Sequence, residues 1–175
     1  MVRGSVLQKD LTLEQAGITE DCTITVVLEE VNHIVETTAS VDYPKPPKDG
    51  YRTEPAFDDI LRMTEEELKM VNDFAIMNEH GSIQWLAAVD LTGVDLARDV
   101  TIEQRQFEVY QGETPPLGQK LNSCAIVRLN HVPPSEGMSV GDKEQRLRRL
   151  CQKRGHEFLA YHPEKFYWEF KLLNF

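Results

Sequence analysis

An α+β fold, a mainly antiparallel β-sheet core flanked by short helices, is predicted by three features of the chain. The first is a run of alternating apolar positions between Asp73 and Val132: Phe74 and Ile76, Ile83 and Trp85, Val100 and Ile102, Phe107 and Val109, then Ala125, Val127 and Leu129. The second is the turn chemistry between those pairs, His80-Gly81, Thr92-Gly93, Gln111-Gly112 and Thr114-Pro115-Pro116-Leu117-Gly118. Period-two apolar spacing bounded by Gly, Pro and Asn is the pattern of half-buried antiparallel strands, so the stretch reads as one sheet of about five short strands. The third is a pair of helix signals that stand outside this run, one before it and one after.

The early signal lies between Tyr51 and Asn72. Pro55 suits a first helical position, which places Phe57, Ile60 and Leu61 on one face. Thr64 followed by Glu67 forms a capping box, and Leu68 and Val71 supply the buried stripe of a second short helix. Asp58, Asp59, Glu65, Glu66 and Glu67 resemble acid–base or cation-binding pairs in composition. Their positions in first helical turns, where negative charge is stabilised by ~0.3–1 kcal/mol, account for them more simply.

The late signal follows the break at Pro133-Pro134. Asp142 with Gln145 in the reciprocal position is the expected cap of a longer helix, Leu147, Leu150 and Cys151 its buried stripe, and Gly155 its left-handed stop. This helix sets six basic residues (Lys143, Arg146, Arg148, Arg149, Lys153, Arg154) against Asp142 and Glu144. They read either as a patch for an acidic partner or RNA, or as a solvated face with cations near the helix C-terminus. Two strands then close the sheet. Phe158 and Leu159 begin one, His162 to Lys165 turn the chain, and Phe166, Trp168, Phe170 and Leu172 form an apolar face opposite Tyr167, Glu169, Lys171 and Leu173.

Composition narrows the function. The apolar fraction of 41 % is enough for a packed core, no apolar run approaches the ~18 residues of a membrane span, and no signal-peptide pattern opens the chain. A net charge of −10 disfavours nucleic acid as a partner of the whole chain. Cys22, Cys124 and Cys151 are odd in number and far apart, which points to reduced thiols rather than a disulfide or metal site. The five histidines show no metal-ligand spacing, so no cofactor is expected, and a soluble protein-binding module without membrane contact is the simplest reading.

The N-terminal part divides from the rest. Residues 1–31 carry Leu11, Leu13, Ala16-Gly17-Ile18 and the run Thr23 to Leu28. In order these resemble the second half of a ubiquitin-like β-grasp fold, without its first hairpin and main helix. A segment below ~40 residues seldom folds unaided, so it reads as an added strand or part of a truncated unit. Residues 32–50 lead into Tyr43-Pro44-Lys45-Pro46-Pro47-Lys48-Asp49-Gly50, a stiff extended run that suits a linker or, less simply, an SH3-type ligand. Residues 51–175 form the expected main domain.

Several pieces of that domain carry a family resemblance. Gly81-Ser82-Ile83, Val89-Asp90-Leu91-Thr92-Gly93-Val94-Asp95-Leu96, Pro115-Pro116-Leu117-Gly118 and Leu121-Asn122 resemble the autoproteolytic domain that closes the ninety-eight-kilodalton, GLFG-repeat nucleoporins. Tyr51, Thr53, Pro55, Asp58-Asp59 and Met63-Thr64 also have counterparts there. In that family the last strand carries a Trp-x-Phe-Lys-like run and finishes His-Phe-Ser. The Ser hydroxyl attacks the preceding Phe carbonyl, the amide becomes an ester, and water releases the two chains, a single-turnover reaction that needs a base and a distorted bond.

The resemblance carries over to Trp168, Phe170, Lys171 near the cleavage site, and Phe175 as the residue before the scissile bond. It fails at Asn174, which stands at the family's His position, because an amide takes no proton from a hydroxyl near neutral pH. With no Ser after Phe175, the sequence fits either a product of self-cleavage or a relative that does not cleave. The implied function is a nuclear pore anchor that docks on β-propeller or coiled-coil scaffold nucleoporins, located in the nucleus at the pore. No Phe-Gly pair occurs, so the chain lacks the repeats that form a permeability barrier. An active serine autopeptidase seen after cleavage and a ubiquitin-like adaptor are the alternative readings.

Overall fold

The central feature of the computed structural model, which describes residues 41–175, is a six-stranded antiparallel sheet with its C-terminal strand in the interior. The expectations for residues 1–31 and 32–40 lie outside the described residues. In chain order the elements are β1 (Arg52–Glu54), α1 (Phe57–Ile60), α2 (Glu65–Leu68), β2 (Ala75–Asn78), β3 (Gly81–Trp85), α3 (Leu96–Asp99), β4 (Val100–Glu103) and β5 (Gln106–Val109). They are followed by β6 (Ala125–Leu129), α4 (Val140–Arg154), β7 (Glu157–His162) and β8 (Tyr167–Leu172).

All five alternating segments of the middle region are strands, but they do not share one sheet. β2, β3 and β6 join the large sheet, in the order β1-β2-β3-β6-β8-β7, while β4 and β5 pair only with each other. Alternation fixes which side chains face inward, not which strand lies alongside. Tyr51 ties the small sheet down: its hydroxyl accepts from the Ile102 amide at 2.8 Å and donates to the Ile102 carbonyl at 3.1 Å. The inward residues of both sheets, among them Ile76, Ile83, Trp85, Val100, Ile102, Val127 and Phe170, form one buried cluster.

The helix signals and the closing strand hold with three corrections. Pro55 precedes α1 by two positions, since the helix opens after Ala56, and it follows β1, a strand the sequence reading lacked. The Thr64–Glu67 capping box is present in both directions. α4 starts earlier than expected, because Ser139 rather than Asp142 is its cap: Ser139 Oγ accepts from the Asp142 amide at 3.0 Å and donates to Asp142 Oδ2 at 2.7 Å. Asp142 thus sits inside the first turn, where its charge suits the helix N-terminus. Leu147 and Cys151 are buried, and Gly155 stops the helix at φ +70°. Finally, Phe166 leaves the aromatic face assigned to it. It sits in the β7–β8 turn at φ +52° and is exposed, whereas Trp168, Phe170 and Leu172 are buried.

The described part of the Pro-rich stretch lies along the domain. The Lys45 amide donates to the Val94 carbonyl at 2.8 Å, Leu96 donates to the Lys45 carbonyl at 3.3 Å, and the Lys45 ammonium bonds Asp95 at 3.0 Å.

Candidate functional site: the groove that holds the chain end

The groove is built where the large sheet, the small sheet and one loop meet. β8 is paired on both sides, with β6 and with β7. It delivers Leu172 into the core, turns Leu173 and Asn174 out to solvent, and returns Phe175 to a half-buried position. The Phe175 ring lies 5.7 Å from Trp85 of β3 and 6.3 Å, edge-on, from Phe107 of β5. Phe107 also packs on Phe170 at 5.7 Å, so the pocket wall continues into the core. Aromatic pairs at these separations contribute ~0.5–1.5 kcal/mol each beyond area burial.

The third wall is the loop from Pro115 to Ser123. Its turns close on themselves: Gln119 donates to the Pro116 carbonyl, Asn122 to the Gln119 carbonyl, and Gly118 to the Asn122 carbonyl at 2.7 Å. Gly118 adopts φ +80°, a region that favours glycine. Asn122 is 5 % exposed. Its Nδ2 donates to the Pro115 carbonyl at 2.7 Å, and its Oδ1 accepts from the Phe175 amide at 2.9 Å. One side chain therefore closes the loop and holds the backbone of the chain end.

Neighbouring groups lock the loop in place. Trp85 Nε1 donates to the Leu121 carbonyl at 2.8 Å, and the Leu121 amide donates to the Tyr110 hydroxyl at 2.8 Å. Burial pushes the Tyr110 hydroxyl up to about 12 despite that hydrogen bond, so it is protonated at neutral pH. Lys120 Nζ donates to Asp90 Oδ2, to the Thr92 carbonyl and to Thr92 Oγ1 at 2.7–2.8 Å. Burial alone would raise the Asp90 carboxyl; the hydrogen bonds from Lys120 and Thr92 outweigh it and hold the group below its ordinary value.

Of the three residues singled out for cleavage chemistry, Phe175 lies in this groove. Asn174 is exposed, and Lys171 directs its ammonium toward Glu157 of β7, 3.8 Å away. Asn122, Tyr110 and Lys120 were not singled out as functional. Leu121-Asn122 stood in the sequence as a motif fragment, but its partner is 53 residues distant, and no local pattern shows such a bond. Among the described residues no group of His, Cys, Asp and Glu is arranged to hold a metal ion.

Comparison with known proteins decides the family. The family model for the Nup98-96 autopeptidase S59 matches residues 48–175. The chain belongs to the nucleoporin autopeptidase family.

Its relatives agree. The chain is similar to the Nup98-Nup96 nuclear pore protein of Dictyostelium discoideum, 29 % identical over 75 % of this chain and 7 % of that protein. It is similar to the nucleoporin NUP145 of Chaetomium thermophilum, 30 % identical over 72 % of this chain and 8 % of the relative. The chain thus spans less than a tenth of the length of these curated relatives. Among solved structures, the Chaetomium Nup145N domain fused to Nup145C matches with a TM-score of 0.65 at 30 % identity, over 71 % of this chain and 94 % of that one. A chain of the yeast heterotrimeric Nup82-Nup159-Nup116 complex has the same fold, with a TM-score of 0.65 at 19 % identity over 73 % and 97 %. The autopeptidase resemblance and the mainly antiparallel fold expected from the sequence are those of the family. The relatives are nuclear pore nucleoporins, and the nuclear pore is the location expected for this chain.

Proposed function

We propose that this domain anchors its protein at the nuclear pore by docking on scaffold nucleoporins of β-propeller or coiled-coil type, and that its self-cleaving chemistry is weakened. The seated chain end carries this reading. The Phe175 amide is held by Asn122 and its ring by Trp85 and Phe107, which supports reading Phe175 as the residue before the family's scissile bond. Asn174 offers no base beside it. Docking is supported by the company of the relatives: the Chaetomium domain is joined to Nup145C in its structure, and the yeast fold relative belongs to a nucleoporin heterotrimer.

Two measurements test the proposal. Calorimetric titration of the full chain with purified scaffold nucleoporins should give saturable binding to one of them; silence with every propeller and coiled-coil partner overturns the docking. For the chemistry, the chain is extended past Phe175 by Ser and a short tail and followed by intact mass. The extended chain should keep its unprocessed mass, while Asn174→His in the same chain should yield the product ending at Phe175. Rapid cleavage with Asn174 in place would instead favour the alternative, an active single-turnover serine autopeptidase, in which the folded groove supplies the strain and another group the base.

A further inference from the structure

On the face of the large sheet covered by α4 there is a second concavity, separate from the groove that holds Phe175. It is a cavity of about 470 Å³ between α4 and the β6–β8 region, within the ~300–1,000 Å³ typical of ligand sites. Its floor is apolar, formed by Leu129, Val132, Leu147, Leu150 and Trp168. Its rim is cationic: Arg105, Lys143, Arg146, Arg149 and Lys153 line it, and no carboxylate does. In a chain of net charge −10 this concentration of one sign stands out.

The rim cations differ from the other basic residues of α4. Arg148 is held by Glu144 at 2.7 Å and lies over the Phe158 ring, on another side of the helix. Lys143 faces partial burial and the nearby charges of Arg105 and Arg146, which together lower its pKa. An anionic group entering the rim would relieve that repulsion, and an apolar side chain beside it would meet the part of the floor that is not already buried, chiefly Leu150.

We propose that this cavity is a docking site for a short segment of a partner protein that combines acidic residues with large apolar anchors. The inference rests on the proposed docking function and names its surface and the chemistry of what fits there. A peptide is favoured over RNA on two grounds. Single-stranded nucleic acid is held by exposed aromatic platforms, whereas the one aromatic lining residue, Trp168, is 6 % exposed. The overall negative charge also opposes an extended polyanion, but not a short segment that meets only the rim.

The test is selection from a random-peptide phage library on the full chain, followed by fluorescence anisotropy with the selected peptides. Enriched sequences should place Asp or Glu beside Leu, Ile, Phe or Met. Their affinity should fall by roughly tenfold or more in the exposed charge-reversal variant Arg146→Glu/Arg149→Glu. Arg62→Glu, on the far-off α1 connection, should leave it unchanged, and circular dichroism should show both variants folded. Enrichment without acidic residues, binding indifferent to the double reversal, or tighter binding of an oligouridine than of any selected peptide overturns the proposal. If a scaffold nucleoporin binds wild-type chain and double variant equally, this site fails while the docking function stands. If the selected peptides bind as expected but no scaffold nucleoporin does, the docking function fails and the site stands.

Discussion

Replacing Asn122 by alanine should uncouple the chain end from the domain. The side chain makes two hydrogen bonds at a nearly buried position, 2.7 Å to the Pro115 carbonyl and 2.9 Å from the Phe175 amide. Each contributes a net ~0.5–1.5 kcal/mol. The expected loss is therefore about 1–3 kcal/mol, a sizeable share of the ~5–15 kcal/mol by which domains are stable. Urea unfolding of the full chain, followed by tryptophan fluorescence, reads it directly because Trp85 lies at the groove. A cycle with deletion of Phe175 separates the two bonds: of the two Asn122 bonds the deletion removes only the one to the tail, along with the ring contacts to Trp85 and Phe107, so the pair should couple by ~1 kcal/mol. A loss below ~0.5 kcal/mol, or strict additivity with the deletion, would refute the view that Asn122 joins loop and chain end.

Gly81 faces the backbone of β6, and a Cβ there would run into the Arg128 carbonyl oxygen; Gly81→Ala should cost at least ~1–3 kcal/mol in chemical denaturation, and an unchanged midpoint would contradict the β3–β6 register. Asp90 has a folded-state pKa below its ordinary value, so its contribution to stability is complete above ~4 and is lost as pH falls through the folded value. Lys120→Met should lower stability at neutral pH and flatten this acid limb in thermal melts between pH 7 and pH 3, whereas an acid limb as steep as in the wild-type chain would count against the ion pair.

Much of the fold could be read from the chain because local chemistry determines it. Alternation marks β2 to β6, Thr64 and Glu67 cap α2 as their spacing requires, and Gly155 ends α4. What escaped depends on partners distant in sequence. β1 is only Arg52–Glu54, with exposed charged ends and no alternation, and is a strand because β2 pairs with it. The separation of β4 and β5 into their own sheet leaves no mark in either segment. Ser139 and Asp142 are both good caps three positions apart, and the fold uses the earlier one, with Asp142 bonded to it from the first turn. The site behaves likewise. Phe175 is a candidate through family resemblance alone, while Asn122 becomes visible only once the fold brings the loop to Phe175.

The function proposed for the domain depends on Phe175 lying in its groove. The most direct measurement is the set of nuclear Overhauser contacts from the Phe175 ring, together with the exchange rate of its amide, in the full chain in solution. Contacts to the Trp85 indole and the Phe107 ring, with an amide protected by Asn122, are the expected result. Random-coil shifts for Phe175, no contact to either ring and an amide exchanging as in an unfolded peptide would contradict it.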